Sequence, residues 1–479
     1  VEFHVDLSGR RDLAGQIYRQ VRGAILEGRL RAGEALPPTR ELARRLAVSR
    51  NTVGVAYDQL MGEGFIETRI GAGTYVCDHL AAPASPRPQL TTQELVPRPR
   101  WNVPYPRWSA VAEPPANAAT MYDFEVGMPD VTLFPFESWR RLVSRELRLS
   151  AVGQGNYGDA AGHAGLRAAI ARHVGVSRAV KADPEAVTVT SGAQQAIDLI
   201  ARVLLEPGDC VAVEEPGYPP PRLLMQSLGM RVCPVRVDPQ GIVVKALPAD
   251  AKLVYVSPAH QFPLGMPMSL SRRIELLTWA AEHDAAIIED DYDSEFRFGG
   301  RPIETLRGLD SRGRVLYVGT FSKTMLPAIR LGFVIAPQSL QPALRVAKYV
   351  SDWHSPLATQ AALARFIDEG LLARHIRKMR AEYKARHELI LQVLAEQGEW
   401  LRPIQSAAGL HLTALLPEGQ HLTAQAVLHR TDGSGVAVNP LAAFYANRPT
   451  QYGLVFGYGK IPLPKIEDGL RLLRHVLSL

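Results

Sequence analysis

The chain has 479 residues, 46% of them hydrophobic and 21% charged, with a formal net charge of +6. No apolar run approaches the roughly 20 residues needed to span a bilayer, and the first residues show no charged-then-apolar leader. The composition therefore predicts a cytoplasmic protein of about two to four domains, and argues against a membrane or exported one.

The three cysteines, Cys77, Cys210 and Cys233, are scattered without metal-ligand spacing. They read as small buried side chains in a reducing compartment, and no metal site is expected. The positive excess permits a polyanion partner without requiring one. It is local: between Pro37 and Thr52 stand Arg40, Arg44, Arg45 and Arg50 against Glu41 alone.

Leu13, Ile17, Val21 and Ile25 recur at i+4 and predict a one-faced helix over 13–27, ended by Gly28. Gly33 to Pro38 form a turn. Thr39 is expected to cap a short helix with Leu42 and Leu46 on one side, and Ser49 a third helix that Gly62 and Gly64 stop. Two short strands follow around Gly71 to Gly73. Two helices joined by a tight turn, then a hairpin, form a winged helix-turn-helix. Its third helix would offer Ser49, Arg50, Asn51 and Thr52 to the major groove, with Arg40 reaching phosphate and Gly73 in the wing. A small helical interaction module with solvated arginines is the plainer alternative. The run L-P-P-T-R-E-L-A-R-R-L-A-V-S-R-N-T-V, with E-G-F-I-E-T-R-I-G-A-G-T-Y-V after it, closely resembles the DNA-binding domain of GntR-family regulators over about residues 10–77.

From His79 to Ala119 nine prolines leave little room for helix or sheet, and a semi-extended linker is expected, pinned in places by Trp101, Tyr105 and Trp108. The expected organisation is a DNA-binding domain over 1–78, this linker over 79–119, and an effector domain over 120–479. The last would divide into a large subdomain at about 150–340 and a small one at about 341–479. Apolar runs near Val187–Thr190, Cys210–Val213, Val232–Val235, Leu253–Val256, Ala286–Glu289, Val315–Val318 and Leu331–Ile335 have strand length, and helical patterns separate most of them. An α/β fold with a mostly parallel seven-stranded sheet covered on both faces follows. The later basic run H-I-R-K-M-R-A-E-Y-K-A-R-H reads as a solvated helix face.

Lys323 sits in a polar loop between two apolar strands, flanked by Ser322 and Thr324, with Arg330 seven residues on. A lysine there can be desolvated enough to act as an amine nucleophile towards an aldehyde. Ser322 and Arg330 could bind a phosphate, and an aldehyde carrying a phosphate points to pyridoxal 5'-phosphate (PLP). Alone, the lysine reads more simply as a surface residue, and the remaining residues have to lift it. Ligands in α/β sheets gather at the carboxyl ends of strands. Ser191-Gly192-Ala193-Gln194 follows one strand and opens a helix, a natural phosphate cradle. The cluster Glu289-Asp290-Asp291-Tyr292-Asp293 ends another; one carboxylate could hold a pyridine nitrogen protonated, although a metal site or a plain acidic loop would fit the cluster too. Tyr218 could stack on a ring, or be a core tyrosine.

In chain order, S-G-A-Q, P-G-Y, E-D-D-Y and T-F-S-K with Arg330 resemble the fold-type-I PLP enzymes, the aspartate aminotransferase superfamily, over about residues 120–479. The resemblance implies Lys323 as the Schiff-base lysine, Asp290 on the pyridine nitrogen and Tyr292 on O3′. It implies Tyr218 stacking, and Ala193, Gln194, Ser322 and Arg330 on the phosphate. Tyr157 is similar to the tyrosine that reaches the partner subunit's phosphate. A winged helix joined to such a domain, together with F-E-V-G-M-P-D-V-T-L-F-P, resembles the MocR/GabR subfamily of bacterial regulators. That likeness implies a head-to-tail homodimer on promoter DNA that senses PLP or an amine in place of full transamination; some members control vitamin B6 synthesis. A working aminotransferase with an appended DNA-binding domain is the alternative.

Two departures stand out. Aminotransferases commonly carry N-P-x-G where this chain has H-Q-F-P-L-G, which puts Phe262 in the asparagine's place. Many relatives clamp a substrate carboxylate with an arginine near the C-terminus, where Y-G-L-V-F-G-Y-G puts Val455 here. A bidentate carboxylate contact is then missing.

Overall fold

A computed structural model describes residues 5–9, 12–69, 72–78, 120–148, 156–299, 304–398, 400–406 and 408–477. The chain forms two compact units, divided between Val103 and Pro104. That division and the proline-rich stretch lie outside the described residues.

In the first unit, helix α1 (Leu13–Leu26) buries Ile17, Val21, Ala24 and Ile25, the stripe its i+4 spacing predicts. Helix α2 (Thr39–Arg45) and helix α3 (Arg50–Gly62) complete the helical core. Three strands, β1 (Ala35–Leu36), β2 (Ile66–Arg69) and β3 (Gly73–Val76), pair in the order β1-β3-β2. Tyr57 is buried on α3, and its hydroxyl donates to Pro37 O at 2.9 Å, which ties α3 to the turn before α2. The capping expectation holds for Ser49, whose Oγ accepts from Thr52 N at 3.0 Å. It fails for Thr39. Pro38 is extended (φ −54°, ψ 143°) and its carbonyl already accepts from Glu41 N and Leu42 N, so Thr39 becomes the first helical residue.

The second unit is built on an eight-stranded sheet. Strand β4 (Tyr122–Phe124) belongs to a smaller sheet. The large one holds β5 (Val187–Thr190), β6 (Cys210–Glu215), β7 (Arg231–Asp238), β8 (Gly241–Ile242), β9 (Ala251–Val256), β10 (Ala286–Asp291), β11 (Val315–Thr320) and β12 (Gly332–Ile335). Their order is β5-β12-β11-β10-β9-β6-β7-β8. Every pair from β11 to β7 is parallel, while β12 and β8 run against their neighbours. All seven expected strands form; β8 is the addition.

Both faces of this sheet are covered, and the alternation along each strand shows it. Val211, Val213, Leu253, Tyr255, Ile288, Leu316 and Val318 pack on one side with helix α4 (Ala193–Leu204). The intervening Ala212, Val254, Val256, Ile287 and Val315 pack on the other. A five-stranded sheet of β13 (Arg402–Pro403), β14 (His411–Leu415), β15 (Val436–Pro440), β16 (Gly453–Gly457) and β4 has the order β13-β14-β16-β15-β4. Its last strand comes from the start of the unit, so this smaller layer is not confined to the expected 341–479. The basic run falls on the helix Leu371–Glu396, where Arg386 is buried against Asp130 instead of facing solvent. No described helix is long and apolar enough to cross a membrane.

Candidate functional site

A cavity of about 470 Å³ opens where β10 and β11 end and α4 begins. Eight of the nine cofactor residues expected from sequence line it: Ala193, Gln194, Tyr218, Asp290, Tyr292, Ser322, Lys323 and Arg330. Tyr157 does not. It is 73% exposed and stacks on Trp353, with ring centroids 4.1 Å apart. The expectation that it reaches a partner subunit concerns a chain absent from this structure.

Lys323 follows β11 by three residues, and its Nζ donates to Gly127 O at 2.6 Å. Enclosure lowers its pKa, while Asp293 and Asp290 pull the other way and Arg330 adds to the lowering. A depressed lysine carries more free amine near neutral pH, the form that attacks a carbonyl.

The acidic cluster is sorted by strand alternation. Glu289 points away from the cavity, accepts from Leu306 N and Arg307 N at 2.9 and 2.8 Å, and is pushed up to about 7 by burial. Asp291 is buried, which alone would raise it, but Arg178 Nε at 2.8 Å and the Tyr317 hydroxyl hold it below the usual carboxylate range. Asp290 faces the cavity, 3% exposed. One of its oxygens accepts from the Tyr255 hydroxyl; the other, Oδ1, has no hydrogen-bond partner. Burial pushes its pKa up to about 6. A buried, half-satisfied carboxylate at a strand end is costly unless something protic completes it.

At the other end, Gly192 (φ +90°) precedes α4, and Arg330, in the left-handed region (φ +52°), donates from Nη2 to Ser191 O at 3.1 Å. A Cβ on Gly192 would stand 3.0 Å from Arg330 Nη2. Only a glycine leaves this corner open. The first N–H groups of α4 have no intrahelical partner, so the guanidinium and the helix N-terminus together form an anion cradle.

Tyr292 lines the cavity with its hydroxyl donating to His260 O at 2.8 Å. The Tyr218 and Phe262 rings meet in a T-shaped contact (centroids 5.4 Å, 74°). Phe262 also packs against Phe444 and His411. Val455 is fully buried in this apolar cluster with Leu441 and Tyr445, behind the cavity wall.

Sequence reasoning missed His260, Asp293 and His411. Asp293 meets His260 Nδ1 with both oxygens at 3.0 Å and accepts from Leu410 N. His411 Nε2 donates to Pro263 O at 3.1 Å, and burial drives its pKa well below the usual imidazole value. The three side chains could group around a cation, but hydrogen bonds within the protein already occupy them. Asp293 was legible only as one acid among four; its partner lies 33 residues upstream.

In the first unit, Ser49, Arg50 and Asn51 are exposed at the start of α3, and Thr52 is half-buried. Arg40 is exposed on α2, and Gly73 is exposed at φ +116°. Arg45 pairs with Glu41, whereas no described carboxylate is within ion-pair distance of Arg40 or Arg50.

These two sites define a helix-turn-helix protein with an aminotransferase-like second unit. Residues 13–76 match the family of bacterial regulatory proteins called gntR, and residues 120–451 match aminotransferase class I and II. The chain belongs to the MocR subfamily of helix-turn-helix transcriptional regulators. It is 37% identical over 464 residues to a Rhizobium meliloti protein named MocR, covering 96% of this chain and 92% of that one. It is 32% identical over 466 residues to the pyridoxine biosynthesis regulator PdxR of Corynebacterium glutamicum, covering 97% and 94%. Among solved structures, kynurenine aminotransferase of Pyrococcus horikoshii matches with a TM-score of 0.69 at 30% identity, over 75% of this chain and 91% of that one. The family resemblance and the two-part α/β architecture expected from sequence are thus borne out.

Proposed function

We propose that this protein is a cytoplasmic, homodimeric regulator that binds promoter DNA through its winged helix and senses PLP, or PLP together with an amine, in the cavity around Lys323. The observation that carries the reading is Asp290 Oδ1: a buried carboxylate oxygen with no partner, in the same cavity as an enclosed lysine. The corner that a Cβ on Gly192 would fill supports a phosphate at the opposite end.

When bound, PLP supplies an aldehyde and a ring that withdraws electrons once its nitrogen is protonated. Lys323 is the amine that would hold the aldehyde carbon. Asp290 would keep the proton on the ring nitrogen, and Tyr218 would cover the ring. Tyr292 would turn its hydroxyl towards the ring oxygen, while Ala193, Gln194, Ser322 and Arg330 would hold the phosphate. Arg50, Asn51, Ser49 and Thr52 would enter the major groove, with Arg40 and Gly73 near the phosphates.

The effector side of the cavity favours regulation over steady turnover. Phe262 lines that side with the buried Val455 in the apolar cluster behind it, while Arg330 is held at the other end by Ser191 O. An α-amino acid would find no guanidinium there among the described residues. The complete lysine, aspartate and tyrosine set keeps a second reading alive, an active aminotransferase; sustained keto-acid production over many turnovers would favour it.

The test is borohydride fixation of the PLP-loaded protein followed by peptide mapping. The pyridoxyl mass should fall on the peptide containing Lys323 and vanish in Lys323→Ala, while PLP-free DNA binding persists. Label on another lysine would overturn the site.

A further inference from the structure

Cys210 opens β6 and Cys233 is the third residue of β7, its parallel neighbour. In the register, Cys210 stands opposite Arg231 and Ala212 opposite Cys233. Strand alternation therefore puts Cys210, Arg231 and Cys233 on one face. Their sulfurs lie 3.1 Å apart. The Arg231 guanidinium stands over the pair, with Nη1 at 3.2 Å from Cys233 Sγ and its other arm on Asp250. The sequence offered two cysteines 23 residues apart with no evident relation; the sheet makes them neighbours.

The two thiols differ. Cys210 is 2% exposed, and burial followed by its hydrogen bond to Cys233 pushes its pKa up to about 12. Cys233 is only half-buried and is the one that touches the cation. Reactive cysteines sit where a sulfur is partly exposed beside a cation, and of the two sulfurs Cys233 is the one so placed. The ladder from β6 to β9 shifts register between Cys210 and Val211, so Cys210 pairs with Ala251 across a local irregularity. A disulfide requires the sulfurs at about 2.05 Å, a movement of roughly an ångström from where they stand.

We propose that Cys210 and Cys233 form a dithiol that hydrogen peroxide converts to a disulfide. The Cys233 thiolate attacks one peroxide oxygen and the O–O bond breaks; after protonation one water leaves and Cys233 carries a sulfenic acid. The Cys210 sulfur then attacks the Cys233 sulfur, the S–O bond breaks, and a second water leaves with the Cys210 proton. Two thiols and one peroxide give one disulfide and two waters: the sulfurs are oxidised and the peroxide is reduced. The pair sits at the amino end of β6, whereas Tyr218 reaches the cavity beyond its carboxyl end. PLP loading and oxidation are therefore separable.

The experiment uses the full-length, PLP-loaded protein, reduced, freed of reductant, titrated with hydrogen peroxide, alkylated and digested with trypsin without reduction. Peptide 203–222, carrying Cys210, should appear joined to peptide 232–236, carrying Cys233. Two of the three thiols should escape alkylation while Cys77 does not, and dithiothreitol should restore both. In Cys210→Ser, dimedone should trap a sulfenic acid on Cys233. The proposal falls if Cys233 proceeds to sulfinic acid while Cys210 stays alkylatable. It falls equally if the link involves Cys77, or if all three thiols survive excess peroxide.

Discussion

The two candidate sites use charge in opposite ways. On the first unit, Arg40 and Arg50 stand in solvent, where a charge costs the fold almost nothing and acts on a partner only within a Debye length of about 10 Å at 0.1 M salt. In the cavity, Lys323 and Asp290 are enclosed, and both are shifted towards neutrality by that enclosure. The exposed arginines are ready without preparation and can be weakened by salt. The enclosed groups cost the PLP-free protein stability, which a ligand that completes Asp290 would restore. Salt and pH should therefore separate the two functions.

The largest effect tests the buried side. Asp290 has a folded pKa of about 6 against an unfolded value of about 3.9, so the folded form holds its proton more tightly. Its contribution to stability is fully present below about pH 4 and is lost as pH rises through about 6. Asp290→Asn keeps an acceptor for Tyr255 and removes the charge. Without PLP the variant should be more stable than wild type at pH 8, by about 2–3 kcal/mol as an upper figure, and the gap should close by pH 4. PLP affinity should fall by about 100-fold, and stabilisation by added PLP should shrink with it. Thermal unfolding at both pH values, with and without PLP, reads all of this. A wild-type advantage at pH 8 without cofactor would refute that cost.

Arg50 tests the exposed side. Arg50→Ala should weaken DNA binding about tenfold, within the 1–3 kcal/mol of a direct contact. The slope of log affinity against log salt then sharpens the assignment. If Arg50 neutralises a phosphate, the slope falls by about one; if it reads a base edge, the slope holds and sequence preference relaxes. Unchanged affinity would remove Arg50 from the interface.

How much was legible follows the same divide. Strands were read well because both faces of the large sheet are buried, which makes Val211–Val213 or Leu253–Val256 short apolar runs with no alternative use. Lys323, Asp290 and Ala193, which line one cavity, could be singled out because each follows or lies at the end of such a strand. What escaped depends on register and long-range approach. Strand β10 runs on to Asp291, two residues past the apolar run, and only its pleat separates Asp290 from Glu289 and Asp291. His260 meets Asp293, Gly127 meets Lys323 across 196 residues, and Cys210 meets Cys233 only after the sheet assembles. Nothing local in the sequence encodes those meetings. The Thr39 cap failed for a smaller reason: the extended proline before it already takes the first helical N–H groups on its carbonyl, which draws Thr39 into the helix.

The smallest prediction links fold to recognition at one side chain. Ser49 does two things in the structure: its Oγ accepts from Thr52 N at 3.0 Å and shares a hydrogen with Thr52 Oγ1 at 2.7 Å. The first interaction caps α3; the second fixes the rotamer of a residue assigned to the DNA face. Ser49→Ala removes both, and a lost cap costs about 1 kcal/mol. Ser49→Asp keeps an acceptor for the cap but brings a negative charge to the DNA face. If Ser49 is a cap first, Ala should lower the unfolding midpoint while Asp leaves it unchanged or slightly raised, since an acidic group suits a helix N-terminus. If it also faces DNA, Asp should bind DNA far more weakly than Ala despite its better fold. Equal DNA affinity for the two variants would place the start of α3 away from the phosphates, and Arg50 with it.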